Sequence, residues 1–197
     1  MSGPAPKKSL GQHFLTDDNI LAVIARLAEL DADDVALEIG PGLGALTRVL
    51  ADRCAHVHAV ELDRRLEPHL LGIAARPNVS LHWGDALRLD LASFDPAPTK
   101  LVANLPYNVA TPIVAESLVG LPTVDLWCVM VQREVADRFF AVPSTKAYGA
   151  VSVLIQLAGV ATREEAVTAL TALGHDPSVR AEALDPRVFV ELARRLA

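Results

Sequence analysis

The feature that most constrains the fold of this chain is a repeated change of period. Val35-Ala36-Leu37-Glu38-Ile39 is a short apolar run that ends in Gly40-Pro41-Gly42-Leu43-Gly44, after which Ala45 to Arg53 carries apolar residues at helical spacing. The alternation recurs with a run from His56 to Val60 closed by Glu61, a helical stretch from Leu66 to Ala75, and a run from Val79 to Trp83 closed by Gly84-Asp85. It continues with a run from Lys100 to Ala103 closed by Asn104-Leu105-Pro106-Tyr107, a helical stretch from Ile113 to Val119 and a run from Val124 to Val131. Short strands separated by helix-length segments form βαβ units, so the chain is expected to be an α/β protein with a mostly parallel sheet. In such sheets ligands bind outside the carboxyl ends of the strands, at the switch point. The polar residues that interrupt the apolar pattern lie at those ends.

The flanks carry less information. Residues 1–10 hold Pro, Ser, Gly and Lys without periodicity and read as an arm, followed by an amphipathic helix from Asp17 to about Leu30. After Gln132 a helix to about Phe140, a turn at Pro143-Ser144-Thr145-Lys146 and a largely apolar helix from Ala147 to Gly159 are expected. From Thr162 onward only short helical pieces remain, one of them starting at Asp185-Pro186. The division is therefore placed near Val160, with residues 1–160 as the sheet-bearing core and 161–197 as a small C-terminal helical domain. A chain of 197 residues can bury about 70% of its surface and needs no staples.

Composition excludes several classes. Cys54 and Cys128 form neither a disulfide framework nor a C-x-x-C pair. No apolar run approaches the roughly 18 residues of a membrane span, and no apolar stretch follows Lys7-Lys8 to make a signal peptide, so a soluble cytoplasmic protein without membrane partners is expected. His56 and His58 alternate on one strand, but no third ligand lies at sensible spacing, so no metal is expected. G-x-S-x-G and H-E-x-x-H motifs are absent. The net charge of −6 argues against nucleic-acid binding through overall charge, while Lys7, Lys8, Arg133, Arg138 and Lys146 could line a local basic rim or be ordinary solvated charges.

The segment Glu38 to Gly44 spells E-x-G-x-G-x-G. Glycines such as Gly40 and Gly42 are needed where a backbone turns from strand to helix while approaching a ligand too closely for a Cβ. The dinucleotide fingerprint G-x-G-x-x-G would put its last glycine at 45, which is Ala, and the loop lacks the Gly-Lys-Ser/Thr end of a P-loop. Glu61 lies 21 residues beyond Gly40 at the end of the next strand, where a carboxylate can accept hydrogen bonds from both ribose hydroxyls. Asp85, closing the third strand, can accept from an adenine amino group. Ribose and adenine without a pyrophosphate fit S-adenosyl-L-methionine. Alone, the glycine loop could be a purely structural turn; Glu61 and Asp85 at successive strand ends favour the cofactor.

Asn104-Leu105-Pro106-Tyr107 suits chemistry on an aromatic amine. The amino group of adenine is a poor nucleophile because its lone pair is delocalised into the ring. The Asn104 side-chain oxygen and the Leu105 carbonyl can accept its two N–H bonds and turn the nitrogen toward a methyl donor. Pro106 biases Leu105 to an extended backbone, and Tyr107 offers a face on which a flipped base can stack. Read alone, the tetrapeptide is also a plausible turn at a strand end.

Together these segments resemble one family, the KsgA/RsmA-type small-subunit ribosomal RNA adenine N6,N6-dimethyltransferases, with the Erm methyltransferases as close relatives. The resemblance rests on Leu10-Gly11-Gln12-His13-Phe14-Leu15, the Glu38 to Gly44 loop with Ala45-Leu46-Thr47, Glu61-Leu62-Asp63 and Gly84-Asp85-Ala86. It extends through Asn104 to Tyr107, Gln132-Arg133-Glu134-Val135, Ser144 to Gly149 and the tail Asp176 to Glu182. It implies a Rossmann-like methyltransferase sheet with a small helical domain. By resemblance, His13 and Leu15 contact the cofactor from the arm, Gly40 its methionine part, Glu61 its ribose and Asp85 its adenine, while Asn104 sits where cofactor and target amine meet. The implied reaction is dimethylation of two adjacent adenines near the 3′ end of small-subunit (16S) RNA, on a nearly assembled 30S particle, by a monomer. Erm-type relatives instead modify 23S RNA.

The chain also departs from the family. The resemblance implies further strands carrying an F-x-P-x-P-x-V-x-S segment, whose Phe is a second stacking face, and then a basic linker. Here Gly159-Val160-Ala161 runs directly into Thr162-Arg163-Glu164-Glu165. The chain resembles the family with an internal stretch missing. Cofactor residues all precede that gap, so a non-catalytic ribosome-binding factor that retains cofactor affinity is the alternative from another class. Methylation of protein or small-molecule amines is disfavoured by the Gln12 to Leu15 arm.

Overall fold

The computed structural model describes residues 14–106 and 108–141, together with 145, 171, 172 and 174. Five parallel strands, β1 (Val35–Ile39), β2 (His56–Glu61), β3 (Val79–Trp83), β4 (Lys100–Asn104) and β5 (Leu126–Met130), form one sheet in the order β3-β2-β1-β4-β5. The helices are α1 (Asp18–Leu27), α2 (Ala45–Ala51), α3 (Glu67–Ala74), α4 (Ala110–Gly120) and α5 (Arg133–Phe139). The chain divides into two compact units, one of Met1–Ile113 with Gly120–Val131, the other of Val114–Val119 with Gln132–Ala197. The expected boundary near Val160, the helix from Ala147 to Gly159 and the pieces after Thr162 lie outside the described residues, apart from the isolated positions 171, 172 and 174.

The order follows from the crossovers. The chain steps outward from β1 to β2 to β3, then returns to the other side of β1 for β4 and β5. That reversal opens a crevice between β1 and β4 at their carboxyl ends, the position where sheets of this kind bind ligands. At the opposite end the seam is closed. Lys100 Nζ pairs with Asp34 Oδ2 at 2.9 Å and also donates to the Glu29 carbonyl, both side chains being nearly buried. Thr99 N–H donates to Val35 O at 2.8 Å, and Val35 N–H donates to Thr99 Oγ1 at 3.0 Å. Burial pushes the Asp34 carboxyl up, but Lys100 and the Asp31 N–H outweigh it and hold the pKa below the usual carboxylate value.

Strand β1 is buried at all five positions, so both of its faces are covered and the run reads as continuously apolar except for Glu38. Leu21 and Ile24 of α1, Leu46 and Leu50 of α2, and Leu70 and Ile73 of α3 form one apolar cluster with Ala36, Val57, Val79 and Val102 of the sheet. Burying side chains of this size contributes about 1.5–3 kcal/mol each. Helix ends differ from the periodicity by one to three residues. Asp17 caps α1 by accepting from Asn19 N–H at 2.8 Å, and the helix stops before Glu29, which takes φ of 48°. Helix α4 starts at Ala110 rather than Ile113 because Pro112 falls in its first turn, where a missing N–H costs nothing. Strand β5 is shorter than the apolar run from Val124 to Val131, since Val124 N–H closes a turn onto Leu121 O.

Candidate functional site

The β1-to-α2 connection sets the site. Gly40 and Gly42 have φ of 76° and 61°, a region that L side chains rarely adopt. Space is tight as well: a Cβ on Gly40 would lie 3.3 Å from Pro106 Cγ, and one on Gly42 would lie 3.0 Å from Phe14 Cδ1, so either neighbour would have to give by a few tenths of an ångström. The loop is therefore pressed between residues far away in the chain, and close approach and left-handed backbone together favour glycine there.

Glu61, the last residue of β2, braces this loop. Its Oε2 accepts from Gly42 N–H at 3.2 Å and its Oε1 from Asp63 N–H at 2.8 Å. Its carbonyl accepts from Gly84 N–H at 2.9 Å, which ties the end of β3 to the same corner. Burial raises the Glu61 carboxyl above its ordinary value, although the N–H groups of Asp63 and Gly42 pull the other way. Each carboxylate oxygen keeps a second lone pair for a ligand.

These residues line one cleft that opens to solvent. Phe14 and Leu15 form its apolar wall; Gly40, Pro41, Gly42, Ala45 and Leu46 form the loop side; Glu38, Glu61, Asn104, Leu105 and Pro106 complete it. Among the described residues no Lys, Arg, His or Cys lines the cleft, so their polar contribution includes two carboxylates and no cationic side chain. It suits a ligand that is partly apolar and positively charged.

Glu38 was not singled out by sequence reasoning beyond its place in the motif. It is only 2% exposed, and its Oε2 has no hydrogen-bond partner among the described residues. Burial pushes its carboxyl up to about 8; Thr47 moderates the shift without reaching hydrogen-bond geometry, and the charge of Glu61 adds to it. Phe14 and Pro41 were also missed as walls. The only signal in the sequence for Glu38 was a charged residue inside a run otherwise apolar.

The expected site residues divide into three groups. Leu15, Gly40, Gly42, Glu61, Asn104, Leu105 and Pro106 converge on the cleft. Asn104 ends β4 and lines it, and Leu105, buried, is held by its N–H donating to Met130 O at 3.0 Å. Asp85 stands at the adjacent strand end but outside the lining, its Oδ1 accepting from Leu87 N–H at 3.1 Å and its Oδ2 lying 3.4 Å from Arg88 Nε. His13 and Tyr107 lie outside the described residues.

The histidines on the sheet do gain a third member. Parallel register sets His82 opposite Val60, and its ring reaches His58. The Pro96 carbonyl, 2.8 Å from His58 Nε2, can only accept, so that nitrogen carries the proton and His58 Nδ1 accepts from His82 Nε2–H at 3.0 Å. His56 bonds Ser80 Oγ at 2.9 Å, and His82 stacks on Phe94 with centroids 4.0 Å apart. Among the described residues no group of three or more His, Cys, Asp or Glu is arranged to hold a metal ion, and no helix is long and apolar enough to cross a membrane.

Comparison with known proteins agrees with this geometry. Residues 5–169 match the family model described as ribosomal RNA adenine dimethylase. A curated protein of Rubrobacter xylanophilus named ribosomal RNA small subunit methyltransferase A is 39% identical over 254 residues, covering 98% of this chain and 96% of that protein. With 254 aligned positions against 197 residues, at least 57 positions of the relative have no counterpart here, as the missing internal stretch requires. The protein of the same name from Phenylobacterium zucineum is 48% identical over 152 residues, which is 76% of this chain and 53% of that protein, so the chain spans about half of that relative's length. Among solved structures, a dimethyladenosine transferase from Plasmodium falciparum superposes with a TM-score of 0.65 at 26% identity, covering 74% of this chain and 52% of that one. The 23S rRNA methyltransferase ErmE, at 23% identity and a TM-score of 0.57 over 93% of this chain and 99% of that one, shares the fold. A Rossmann-like methyltransferase sheet, the glycine loop and the strand-end residues, carried in a chain matched over most of its length, place this protein in the ribosomal RNA adenine dimethylase family.

Proposed function

We propose that the chain is an S-adenosylmethionine-dependent adenine N6,N6-dimethyltransferase of small-subunit ribosomal RNA. The observation that carries the reading is the convergence of the glycine loop, Glu61 and Asn104-Leu105-Pro106 on one cleft at the β1/β4 switch point. The residues present fit the cofactor: the glycine loop brings bare backbone to the cleft in a left-handed conformation, the polar walls are acidic, and a buried carboxylate oxygen lacks a partner among the described residues. When bound, the cofactor supplies a methyl group on a positively charged sulfur.

The chain's own residues then have distinct tasks. Glu61 accepts hydrogen bonds from ribose hydroxyls, Gly40 and Gly42 admit the backbone to close range, and Phe14 and Leu15 cover an apolar face. His13 and Asp85 complete the set, Asp85 accepting from the cofactor's adenine once its side chain turns from Arg88. Asn104 Oδ1 and the Leu105 carbonyl accept the two N–H bonds of the target amine and aim its lone pair into the cleft. Tyr107 stacks on the flipped base, worth about 1–3 kcal/mol. No side-chain base is needed, because the amine proton becomes acidic as positive charge develops on nitrogen. Alignment is the main contribution, as effective molarities allow.

The names of the curated relatives favour small-subunit over 23S RNA as substrate. The partner is then a nearly assembled 30S particle, met in the cytoplasm by a monomer. One observation favours a second reading. The internal positions without a counterpart point to a ribosome-binding factor that keeps cofactor affinity without turnover. The test is methyl transfer from labelled cofactor to immature small subunits, comparing the chain, its Asn104→Ala variant and a version carrying the relative's internal stretch. Loss of about 10²–10³-fold on Asn104→Ala is expected, the range for one positioned hydrogen-bonding group. Transfer indifferent to that substitution sinks the mechanism, and cofactor binding without transfer to any ribosomal substrate selects the second reading.

A further inference from the structure

Among the described lining residues Glu38 is the one with a polar side chain to which the proposed reaction gives no task. It projects from the middle of β1 into the cleft wall, with Thr47 of α2 and Glu61 of β2 as the polar groups facing it and Asn104 at the end of neighbouring β4. Glu61 has both carboxylate oxygens occupied by backbone N–H groups, whereas Glu38 Oε2 has no donor within reach. A carboxylate buried with an empty acceptor is costly, and it avoids the cost by holding a proton until a cation or donor arrives.

We propose that Glu38 couples ligand binding to a proton: its carboxyl is neutral in the ligand-free protein and ionises when an ammonium group enters the cleft, so that binding releases one proton to solvent. The inference rests on the cofactor reading above and extends it. The ammonium, not the sulfonium, is the group assigned to Glu38, because a carboxylate in the cleft wall that is short of donors needs hydrogens and, of the two cationic groups, only the ammonium carries N–H bonds. The Glu38 O–H bond breaks, its proton goes to buffer, and the carboxylate accepts a hydrogen bond from the ligand's ammonium, which keeps all its protons. Burial pushes the carboxyl up to about 8, which supports the same assignment. Net charge in the cleft would otherwise fall on two adjacent carboxylates, and like charges at close range are not both ionised without a cation between them.

The test is isothermal titration calorimetry of the full chain at pH 7.0 in phosphate and in Tris, whose ionisation heats differ; the dependence of observed heat on buffer counts the protons exchanged. S-adenosylmethionine and S-adenosylhomocysteine, which both carry the ammonium, are each expected to release close to one proton. 5′-Methylthioadenosine, which lacks it, should release none. In the wild-type chain the affinity for S-adenosylmethionine should rise about tenfold per pH unit between pH 6 and 7, and in Glu38→Gln both the proton release and this slope should disappear. Binding of S-adenosylmethionine without proton release, or equal release in Glu38→Gln, overturns the inference and leaves the cofactor reading standing. Release from S-adenosylmethionine alone overturns the assignment to the ammonium. No binding of either sulfur nucleoside with an amino-acid tail overturns the cofactor reading and the inference together.

Discussion

Replacing Glu38 by glutamine should stabilise the ligand-free protein at alkaline pH and leave it unchanged in mild acid. The folded carboxyl titrates at about 8 and the unfolded one at 4.5, because burial penalises the charged form. Between those values the folded chain holds a proton that the unfolded chain has lost. The unfolded state therefore binds fewer protons, and stability falls as the pH rises. The slope approaches about 1.4 kcal/mol per pH unit, so the deficit accumulates to roughly 5 kcal/mol by pH 8. That is comparable with the whole stability of many domains, about 5–15 kcal/mol. Glutamine keeps the shape and cannot ionise, so it escapes the penalty. The assay is urea unfolding of both chains at pH 5, 6, 7 and 8, read as the difference between them so that contributions from other titrating groups cancel. The two stability curves should meet near pH 5 and diverge upward, with the variant ahead by several kcal/mol at pH 8. Parallel curves, or a variant less stable at pH 8, would refute the reasoning that a buried, unpartnered carboxylate sits in this wall.

Two further outcomes follow from groups remote from the cleft. Lys100→Met strips the nearly buried Asp34 of its partner and should cost about 3 kcal/mol at pH 7, the scale for breaking a buried pair. The folded Asp34 pKa lies below its ordinary value, so the contribution of Lys100 is complete above pH 3.8 and vanishes as the pH drops through the folded value; unfolding curves from pH 7 down to 3 check this. His58 is nearly fully buried and burial lowers its pKa below 6.5, despite the Pro96 carbonyl, so the unfolded chain takes up protons first and stability declines as the pH falls from 6.5 through the folded value. His58→Phe should flatten that acid limb while costing about 1–3 kcal/mol at pH 7.5, since the Pro96 carbonyl loses its donor; an acid limb of unchanged steepness would show that His58 does not titrate on unfolding.

The site was legible where its chemistry is local. Gly40, Gly42, Glu61 and Asn104 stand at strand ends, and a strand end is announced in the sequence by the residue that breaks an apolar run. Asp85 shows the limit of that logic: it follows β3 as expected, yet its side chain is engaged by Leu87 N–H and Arg88 rather than lining the cleft. Which way a side chain turns after a strand ends is decided by neighbours that the run does not encode. Phe14 and Leu15 reach the glycine loop from a position more than twenty residues away, and nothing periodic connects them to it.

By itself, then, the sequence determined the alternation of strand and helix, the parallel sheet, the glycine loop and the identity of the groups at the carboxyl ends. Each of these follows from backbone sterics or from burial of short apolar runs, which act over a few residues. Tertiary structure alone decided that β1 and β4 lie side by side, that Lys100 and Asp34 close one end of their seam, and that His82 joins His58 across the register. It also decided that Glu38, one charge inside an apolar run, lines the cleft and keeps one buried oxygen unmatched. These depend on which strands the crossovers bring together, and a contact made across a crossover leaves no spacing in the chain from which it could be read.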